Sequence, residues 1–112
     1  MASYAFEQST WPITMRFRDE SGKEVPPDSV KWTLVDEAGN VVNNREQVEV
    51  SEMASRITIV LSGDDLMIIN PKARYEKRFV VVEATYSSTT VGVGAPLNQE
   101  YEFYVTNIRY VT

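Results

Sequence analysis

The sequence lacks the two side chains that most often carry chemistry at neutral pH. Its 112 residues include no histidine and no cysteine. Histidine is the commonest general base and metal ligand, and cysteine supplies thiolate nucleophiles and metal–sulfur ligands. Their absence excludes Ser-His-Asp triads, thiol catalysis and disulfide bonds. The leading prediction is therefore a protein that is not an enzyme and that has no catalytic, cofactor-binding or metal-binding residues.

Carboxylates are the remaining candidates for chemistry. They occur as three adjacent pairs, Asp19–Glu20, Asp36–Glu37 and Asp64–Asp65. A glycosidase needs two carboxylates across a cleft, and calcium needs several oxygen ligands. Each pair stands beside turn-forming residues, however, and the EF-hand spacing is absent. We interpret the pairs as turn and helix-capping groups, with a calcium site built from several loops as the alternative.

The charge distribution argues against a nucleic-acid partner. The formal net charge is −5, which repels a phosphate backbone unless the basic residues gather on one face. The densest basic stretch, "KARYEKR" (72–78), contains a glutamate and is interpreted as a solvated loop and strand entry. The first 12 residues do not resemble a signal peptide, and no apolar run is long enough for a membrane span. We expect a cytoplasmic protein with neither a nucleic-acid nor a membrane partner.

Alternation of apolar and polar residues predicts β-strands along most of the chain. Gly-, Pro- and Asn-containing turns separate the alternating segments, and the length is that of one domain. We predict a single all-β domain over residues 1–112, an antiparallel sandwich of about seven strands with a short N-terminal arm (about 1–11). The residues expected to point inward on successive strands include Ile13, Met15, Phe17, Val30, Trp32, Leu34, Ile57, Ile59 and Leu61.

One segment departs from the strand pattern. In "SGDDLMIINP" (62–71), Ser62 or Gly63 can cap a helix, and Asp64 and Asp65 suit the positive end of a helix dipole. Pro71 ends whatever has formed. The sequence therefore predicts one short helical turn near residues 63–69.

The strand "RFVVVEATY" (78–86) is apolar at successive positions rather than at alternate ones. If Val80 and Val82 point inward, Phe79 and Val81 point outward. A trial register that pairs Val82 with Phe103 also places Tyr104 outward, and a shift of two residues preserves this facing. The predicted interaction face is accordingly Phe79, Val81 and Tyr104, extended by Ile108 and Tyr110.

Such a face needs a cover, because monomeric proteins seldom leave large apolar patches in water. One candidate is the N-terminal arm, whose Tyr4, Phe6 and Trp11 are large enough to fold over it. The other candidate is a second copy of the chain or another protein. Both alternatives are compatible with the sequence.

The order of "VKWTLVDEAGNVV", "SGDDL", "RYEKRFVVVEATY" and "NQEYEFYVTNI" resembles small immunoglobulin-like β-sandwich proteins and domains of tailed bacteriophages and prophages. The resemblance covers about Ile13 to Ile108. The cysteine pair of antibody domains is missing, so the tie is to the broad sandwich architecture. The resemblance implies a role in virion structure or adhesion for a protein made in the cytoplasm and associated with the virion.

Two functions follow as hypotheses. The first is a non-catalytic structural or protein-interaction module that binds a protein partner or self-associates through the outward face, a sheet edge or long loops. The second is a ligand-binding module at the sandwich-end loops, in which exposed tyrosine or tryptophan stacks on a sugar ring or loop carboxylates hold calcium.

Overall fold

The computed structural model describes residues 3–108 of the chain. This range contains eight strands and one 3₁₀ turn, joined by loops. The 3₁₀ turn spans Gly63–Leu66. The strands are β1 (Tyr4–Phe6), β2 (Thr10–Arg16), β3 (Ser29–Asp36), β4 (Val48–Glu49), β5 (Arg56–Ser62), β6 (Tyr75–Ser88), β7 (Gly92–Pro96) and β8 (Gln99–Thr106).

The strands form two sheets. The larger sheet has six strands in the order β1-β8-β6-β3-β4, and β7 also pairs with β6. The smaller sheet consists of β2 and β5. All pairs are antiparallel except β1 and β8, which run parallel. The predicted all-β sandwich is confirmed, with eight strands in place of about seven.

The core lies between the two sheets and follows side-chain alternation. Along β2 and β5, every second residue is buried, while the residues between them are exposed. Along β3 and β6, alternate residues are likewise buried against that layer. The inward positions predicted from the sequence are confirmed, since all of the following are buried: Ile13, Met15, Phe17, Val30, Trp32, Leu34, Ile57, Ile59, Leu61, Val80, Val82 and Ala84.

The N-terminal arm extends the larger sheet. Residues Tyr4–Phe6 pair in parallel with β8, and Ala5 is buried in the core. The arm then continues into β2 in the other sheet, where Trp11 packs against the core. It therefore bridges the two sheets at one edge of the sandwich and does not fold across the outward side of β6.

The register between β6 and β8 differs from the trial register. Phe103 pairs with Arg78 and not with Val82, a displacement of four residues along β6. An even displacement keeps every side chain on its expected side of the sheet. Phe103 and Val105 are therefore buried as predicted, although their neighbours on β6 differ.

The predicted helical turn is present but shorter than residues 63–69. Its third residue, Asp65, is buried, and the Asp65 carboxylate accepts a hydrogen bond from the Ser62 N–H at 3.1 Å. The same carboxylate accepts hydrogen bonds from Arg45 Nε at 2.7 Å and Asn43 Nδ2 at 2.8 Å. Asn43 and its neighbour Asn44 have left-handed backbone (φ 55° and 57°), a conformation that asparagine tolerates. Asp65 therefore ties the 3₁₀ turn to the loop between β3 and β4.

The hydrogen bonds around Asp65 determine its ionisation. Burial disfavours the charged carboxylate, but the hydrogen bonds from Arg45, Asn43 and the Ser62 N–H outweigh that effect. The pKa of Asp65 consequently lies below the ordinary aspartate value.

A buried ion pair holds the segment that leads into β6. Arg78 occupies an inward position of β6, and its guanidinium contacts Glu76 Oε1 at 2.7 Å. Glu76 also accepts hydrogen bonds from the backbone N–H groups of Ile69 and Asn70 at 2.7 and 2.8 Å. The Arg78–Glu76 pair thus replaces apolar packing where the loop after the 3₁₀ turn crosses the end of the core.

We predict that Asp65→Asn lowers the free energy of unfolding by about 2 kcal/mol at neutral pH, because a neutral amide has one acceptor oxygen in place of the buried carboxylate that accepts from Arg45, Asn43 and the Ser62 N–H. The unfolded-state pKa is about 3.9, and the folded-state pKa is lower, so this contribution is full above about pH 4 and is lost as the pH falls through the folded value. Chemical denaturation at several pH values should show wild type and variant converging in acid.

Asp64→Asn is the matched control, since Asp64 is exposed and contacts only the Gln8 amide, at 3.2 Å, among the described side chains. It should change stability by less than about 0.5 kcal/mol. Equal losses in the two variants, or a difference that persists undiminished to about pH 2, would contradict this role for Asp65.

We also predict that Arg78→Ala costs at least about 3 kcal/mol, because the buried Glu76 carboxylate loses its cation. Lys77→Ala, one residue earlier, removes a partly exposed pair with Glu102 and should shift the urea midpoint far less. The measurement is the urea midpoint of each variant with its denaturant slope. A similar cost for both substitutions would show that Arg78 is not the buried anchor of this segment.

Candidate interaction face on the six-stranded sheet

The outer face is the side of the larger sheet that points away from β2 and β5. On β6 it carries Lys77, Phe79 and Val81, which alternate with the buried Val80 and Val82. Phe79 and Val81 are half-buried, since neighbouring side chains on the same face cover part of each. The predicted outward facing of both residues therefore agrees with the strand geometry.

The β3 strand contributes the next column of this face. Val35 pairs with Phe79, and Thr33 pairs with Val81. An apolar strip of Val35, Phe79 and Val81 results, which is defined here as the central strip. Its members lie on neighbouring strands, where directly paired side chains are close enough to contact each other.

Carboxylates border the central strip on its other side. The four-residue displacement of β8 places Glu102 beside Phe79 and Glu100 beside Val81. In the trial register, Tyr104 was opposite Val81, which would have made one continuous apolar patch. The actual patch is narrower, and it carries negative charge along one side.

Tyr104 belongs instead to a group of three tyrosines at the end of the sheet, which is defined here as the aromatic cluster. The Tyr4 ring stacks on the Tyr104 ring, with centroids 5.3 Å apart and planes inclined by 23°. Tyr75 meets Tyr4 edge to face, also at 5.3 Å. Tyr4 and Tyr75 remain 50% and 51% exposed. The cluster thus presents aromatic surface to solvent, with geometries that aromatic pairs prefer.

Two cations accompany the aromatic cluster. Lys77 Nζ lies 5.6 Å from the centre of the Tyr104 ring and 3.3 Å from Glu102 Oε1. The hydrogen bond and the charge of Glu102 raise the pKa of Lys77, so the amine stays protonated at neutral pH. The Arg74 guanidinium lies 5.9 Å from the centre of the Tyr75 ring. Lys77 therefore connects the cluster to the acidic border of the central strip.

An open cleft of about 500 Å³ adjoins the aromatic cluster. Its walls come from the cluster, from the start of β6 and from the turn that follows β3. Among the residues that line it are Asp36, Glu37, Tyr75, Lys77 and Tyr104. Because it is open, the cleft extends the outer face and does not form an enclosed active-site cavity.

Ile108 and Tyr110 were the last two residues of the predicted face, and the structure describes only the first of them. Ile108 lies just beyond the end of β8, where its N–H donates to Glu7 Oε1 at 2.8 Å. It is half-buried beside the segment that follows β1. Tyr110 lies outside the described residues. The structure therefore brings Phe79, Val81 and Tyr104 onto one face and places Ile108 at its end.

The N-terminal arm covers only a margin of the outer face. Tyr4 packs on Tyr104 at the β1 side, whereas Trp11 lies in β2 and contacts the core. Within residues 3–108, both strands of the second sheet lie on the opposite side of the large sheet. Internal cover by the arm thus accounts for Tyr104 but not for the central strip.

The paired carboxylates of the sequence serve turns, as predicted. Asp19 Oδ1 accepts hydrogen bonds from the N–H and hydroxyl of Ser21 and from the N–H of Lys23. Asp36 Oδ1 accepts from the N–H groups of Ala38 and Asn40. These hydrogen bonds lower the pKa of both aspartates. Their oxygens therefore stabilise turns in the folded chain.

Glu20, the neighbour of Asp19, contacts the hairpin between β6 and β7. Its carboxylate accepts hydrogen bonds from Tyr86 Oη at 3.2 Å and from Ser88 Oγ at 2.8 Å. Burial, reinforced by this carboxylate, raises the pKa of Tyr86. Glu20 thus has a structural role in orienting the hairpin.

Acidic side chains do not gather elsewhere in the described chain. Over residues 3–108, no group of three or more is close enough to hold a metal ion. In the same range, no helix has both the length and the apolar composition needed to cross a membrane. The outer face is the surface on which aromatic, apolar and charged groups converge.

Sequence reasoning missed the aromatic cluster because it forms between segments far apart in the chain. Tyr4 and Tyr75 had been assigned to the arm and to a basic loop. The parallel pairing of β1 with β8 and the register of β6 against β8 bring them to Tyr104. The available signal was the alternation of Tyr4, Ala5 and Phe6, which is that of a short strand with one buried residue.

Comparison of the chain with models of known protein families, with curated proteins and with solved structures finds no significant match.

Proposed function

We propose that this protein is a non-catalytic structural or protein-interaction module that binds a partner protein through the outer face of its larger sheet. The observation that carries the proposal is the central strip, Val35, Phe79 and Val81, which is half-buried and faces away from the smaller sheet, with no strand of the described chain packed over it. Half-buried apolar residues bordered by charged ones are typical of an interface core with a polar rim.

The charges on this face indicate the chemistry of the partner. Glu83, Glu100 and Glu102 all project from the outer face, where Lys31 is the cross-strand neighbour of Glu83 and Lys77 forms an ion pair with Glu102. A partner surface with an apolar ridge flanked by lysine or arginine would complement both the strip and its acidic border. The net charge of −5 favours the approach of such a basic partner.

We further propose that the module is immunoglobulin-like and is associated with the virion of a tailed bacteriophage or prophage. The strand arrangement supports the first part. In immunoglobulin sandwiches, strands C, F and G share one sheet, strands B and E share the other, and a buried tryptophan lies on strand C. Here β3, β6 and β8 share one sheet, β2 and β5 the other, and the buried Trp32 lies on β3.

The virion association rests on the resemblance and on the surface. Virion proteins act by assembling with other proteins, which requires a docking surface and no catalytic centre. Asp19, Asp36 and Asp65, one from each carboxylate pair, are each engaged by nearby N–H donors, which supports a structural use of these pairs. On this proposal the protein is made in the cytoplasm and is then assembled into the virion.

The aromatic cluster favours carbohydrate binding as a second candidate function. Tyr4 and Tyr75 are half exposed beside the open cleft, where Asp36, Glu37 and Lys77 supply polar groups. Sugar recognition combines stacking on aromatic rings with a few polar contacts. The two tryptophans do not contribute to this surface, because Trp32 is buried and Trp11 packs on the core.

The leading proposal predicts site-specific crosslinking. A photoreactive phenylalanine analogue is placed at Phe79, and the gene is expressed together with the genes that flank it. Irradiation should give one dominant adduct with another protein, identified by mass spectrometry, because the strip is the interface core. The matched control carries the analogue at Thr14, an exposed position on the outside of the smaller sheet. Equal adducts from both positions, or none from Phe79, would refute the proposal.

The second candidate predicts a thermal shift with oligosaccharides that depends on the cluster. Tyr75→Ala should weaken binding about fivefold, because a lost aromatic stacking contact is worth about 1 kcal/mol. The control Val93→Ala changes a 93% exposed side chain in β7, away from the cluster, and should leave binding unchanged. No shift with any sugar of a broad panel would eliminate this candidate.

A further inference from the structure

The smaller sheet exposes an edge whose backbone groups have no partner in the described chain. In the pairing of β2 with β5, the odd-numbered residues direct their backbone N–H and C=O groups toward the other strand. Two bonds that continue this register show the pattern, from Gly63 N–H to Ser9 O at 3.0 Å and from Phe17 N–H to Ser55 O at 2.9 Å. The N–H and C=O groups of Thr58 and Val60 therefore point away from β2. Within residues 3–108, neither residue makes a backbone hydrogen bond on that side.

Unpaired backbone groups are tolerated only where water reaches them. The outward edge of β5 is thus a solvated row of donors and acceptors along a seven-residue strand. The crossing segment before β5 does not pair with it, because the Val50 N–H bonds to Val30 O in the other sheet. Met53 packs against the core and closes the side of the sandwich beneath the edge.

Other open edges carry features that oppose the addition of a strand. β1 has three residues and β4 has two. β2 has Pro12 at an outward position, where its missing N–H interrupts the row of donors, and the Arg16 carbonyl already accepts Gln99 Nε2 at 2.9 Å. β7 has Pro96 at an outward position, because the neighbouring Leu97 N–H bonds to β6. Natural sheets use such short strands and prolines to prevent edge pairing.

The edge of β8 is protected by charge. Its residues beyond the pairing with β1 include Glu100 and Glu102 at positions whose backbone groups point outward from β6. Charged residues on an edge disfavour an added strand. The edge of β5 has none of these features between its ends, since Thr58, Ile59 and Val60 are β-branched residues with high strand propensity.

We propose that the β5 edge pairs with the β5 edge of a second copy of the chain. A two-fold axis at Ile59 places Thr58 of each copy opposite Val60 of the other, which closes about four backbone hydrogen bonds. The product is a continuous four-stranded sheet, β2-β5 joined to β5-β2 of the second copy. This surface is separate from the outer face, so the proposal does not depend on the proposed function.

Charge along the strand favours a second copy as the occupant. Arg56, whose guanidinium also pairs with Glu24 at 2.9 Å, stands at one end of β5, and Asp64 follows its other end by two residues. Antiparallel pairing brings the Arg56 end of one copy to the Asp64 end of the other, whereas parallel pairing would align like charges. The outward side chains opposite one another are Thr58 and Val60, and Val60 is 58% exposed in the single chain. Pairing would remove that apolar group from water.

The test is amide hydrogen exchange by NMR combined with sedimentation. The edge contact is smaller than a standard interface, so we expect a dissociation constant on the order of 0.1 mM. The N–H groups of Thr58 and Val60 should exchange rapidly in dilute protein and at least about tenfold more slowly when most of the protein is paired. The N–H groups of Tyr4 and Phe6, on the β1 edge, should not change.

The variant Thr58→Lys/Val60→Lys places lysines opposite each other across the axis and should abolish the dimer. The control is Thr14→Lys. Thr14 lies on the same sheet surface as Thr58, and the two hydroxyl groups are 3.0 Å apart. The control variant therefore loses the same hydroxyl contact, but its substitution is on β2, one strand away from the edge. It should still dimerise, and circular dichroism should show that both variants fold.

Three results would overturn the proposal. The first is a strict monomer at millimolar concentration. The second is protection of the Thr58 and Val60 amides already in dilute protein, which would show that part of the chain covers the edge. A dimer that survives the lysine pair but is lost on Phe79→Ser would also overturn it. That last result would support the outer face as an interface, so the two proposals fail separately.

Discussion

Strand β6 imposes the constraint on which the rest of the structure depends. It pairs with β3 along one side and with β7 and β8 along the other, so three strands take their register from it. Its residues Val80, Val82 and Ala84 must point toward β2 and β5, because these apolar side chains lose contact with water only there. The facing of the other side chains in the larger sheet follows from this burial, since side chains alternate strictly between the two faces of a strand.

The same alternation determines which groups face outward. Once Val80 and Val82 are buried, Phe79 and Val81 lie on the outer face, and pairing with β3 adds Val35. The buried polar groups lie at the ends of the core, where Asp65 holds the loop after β3 and Arg78 with Glu76 holds the loop before β6. Polar anchors at these ends stabilise loops that have little apolar surface of their own, and they leave the large face and the β5 edge for contacts with other molecules.

Local patterns in the sequence predicted the facing of residues but not their neighbours. Alternation identified the buried side of β2, β3, β5 and β6, and the Ser62–Asp65 segment contained the signals of a helical turn. The register of β8 was not accessible, because a displacement by an even number of residues buries the same side chains. Glu100 and Glu102 consequently appeared beside Phe79 and Val81, where Tyr104 had been expected.

Two further features could not be predicted from local alternation. The pairing of β1 with β8, which creates the aromatic cluster, involves only three residues on each strand and has no signature in either segment alone. The ion pair of Arg78 with Glu76 places a guanidinium at an inward position, which contradicts the usual preference for apolar residues there. Both features concern the candidate site, and for that reason the fold was easier to predict than the surface that it presents.

Cross-strand nuclear Overhauser effects test the central claim about β6 most directly. The account predicts backbone contacts that join Arg78 to Phe103 and Val82 to Trp32. Contacts that join Phe103 to Val82, or that place Phe79 and Val81 against β2 and β5, would contradict the assignment of inner and outer faces.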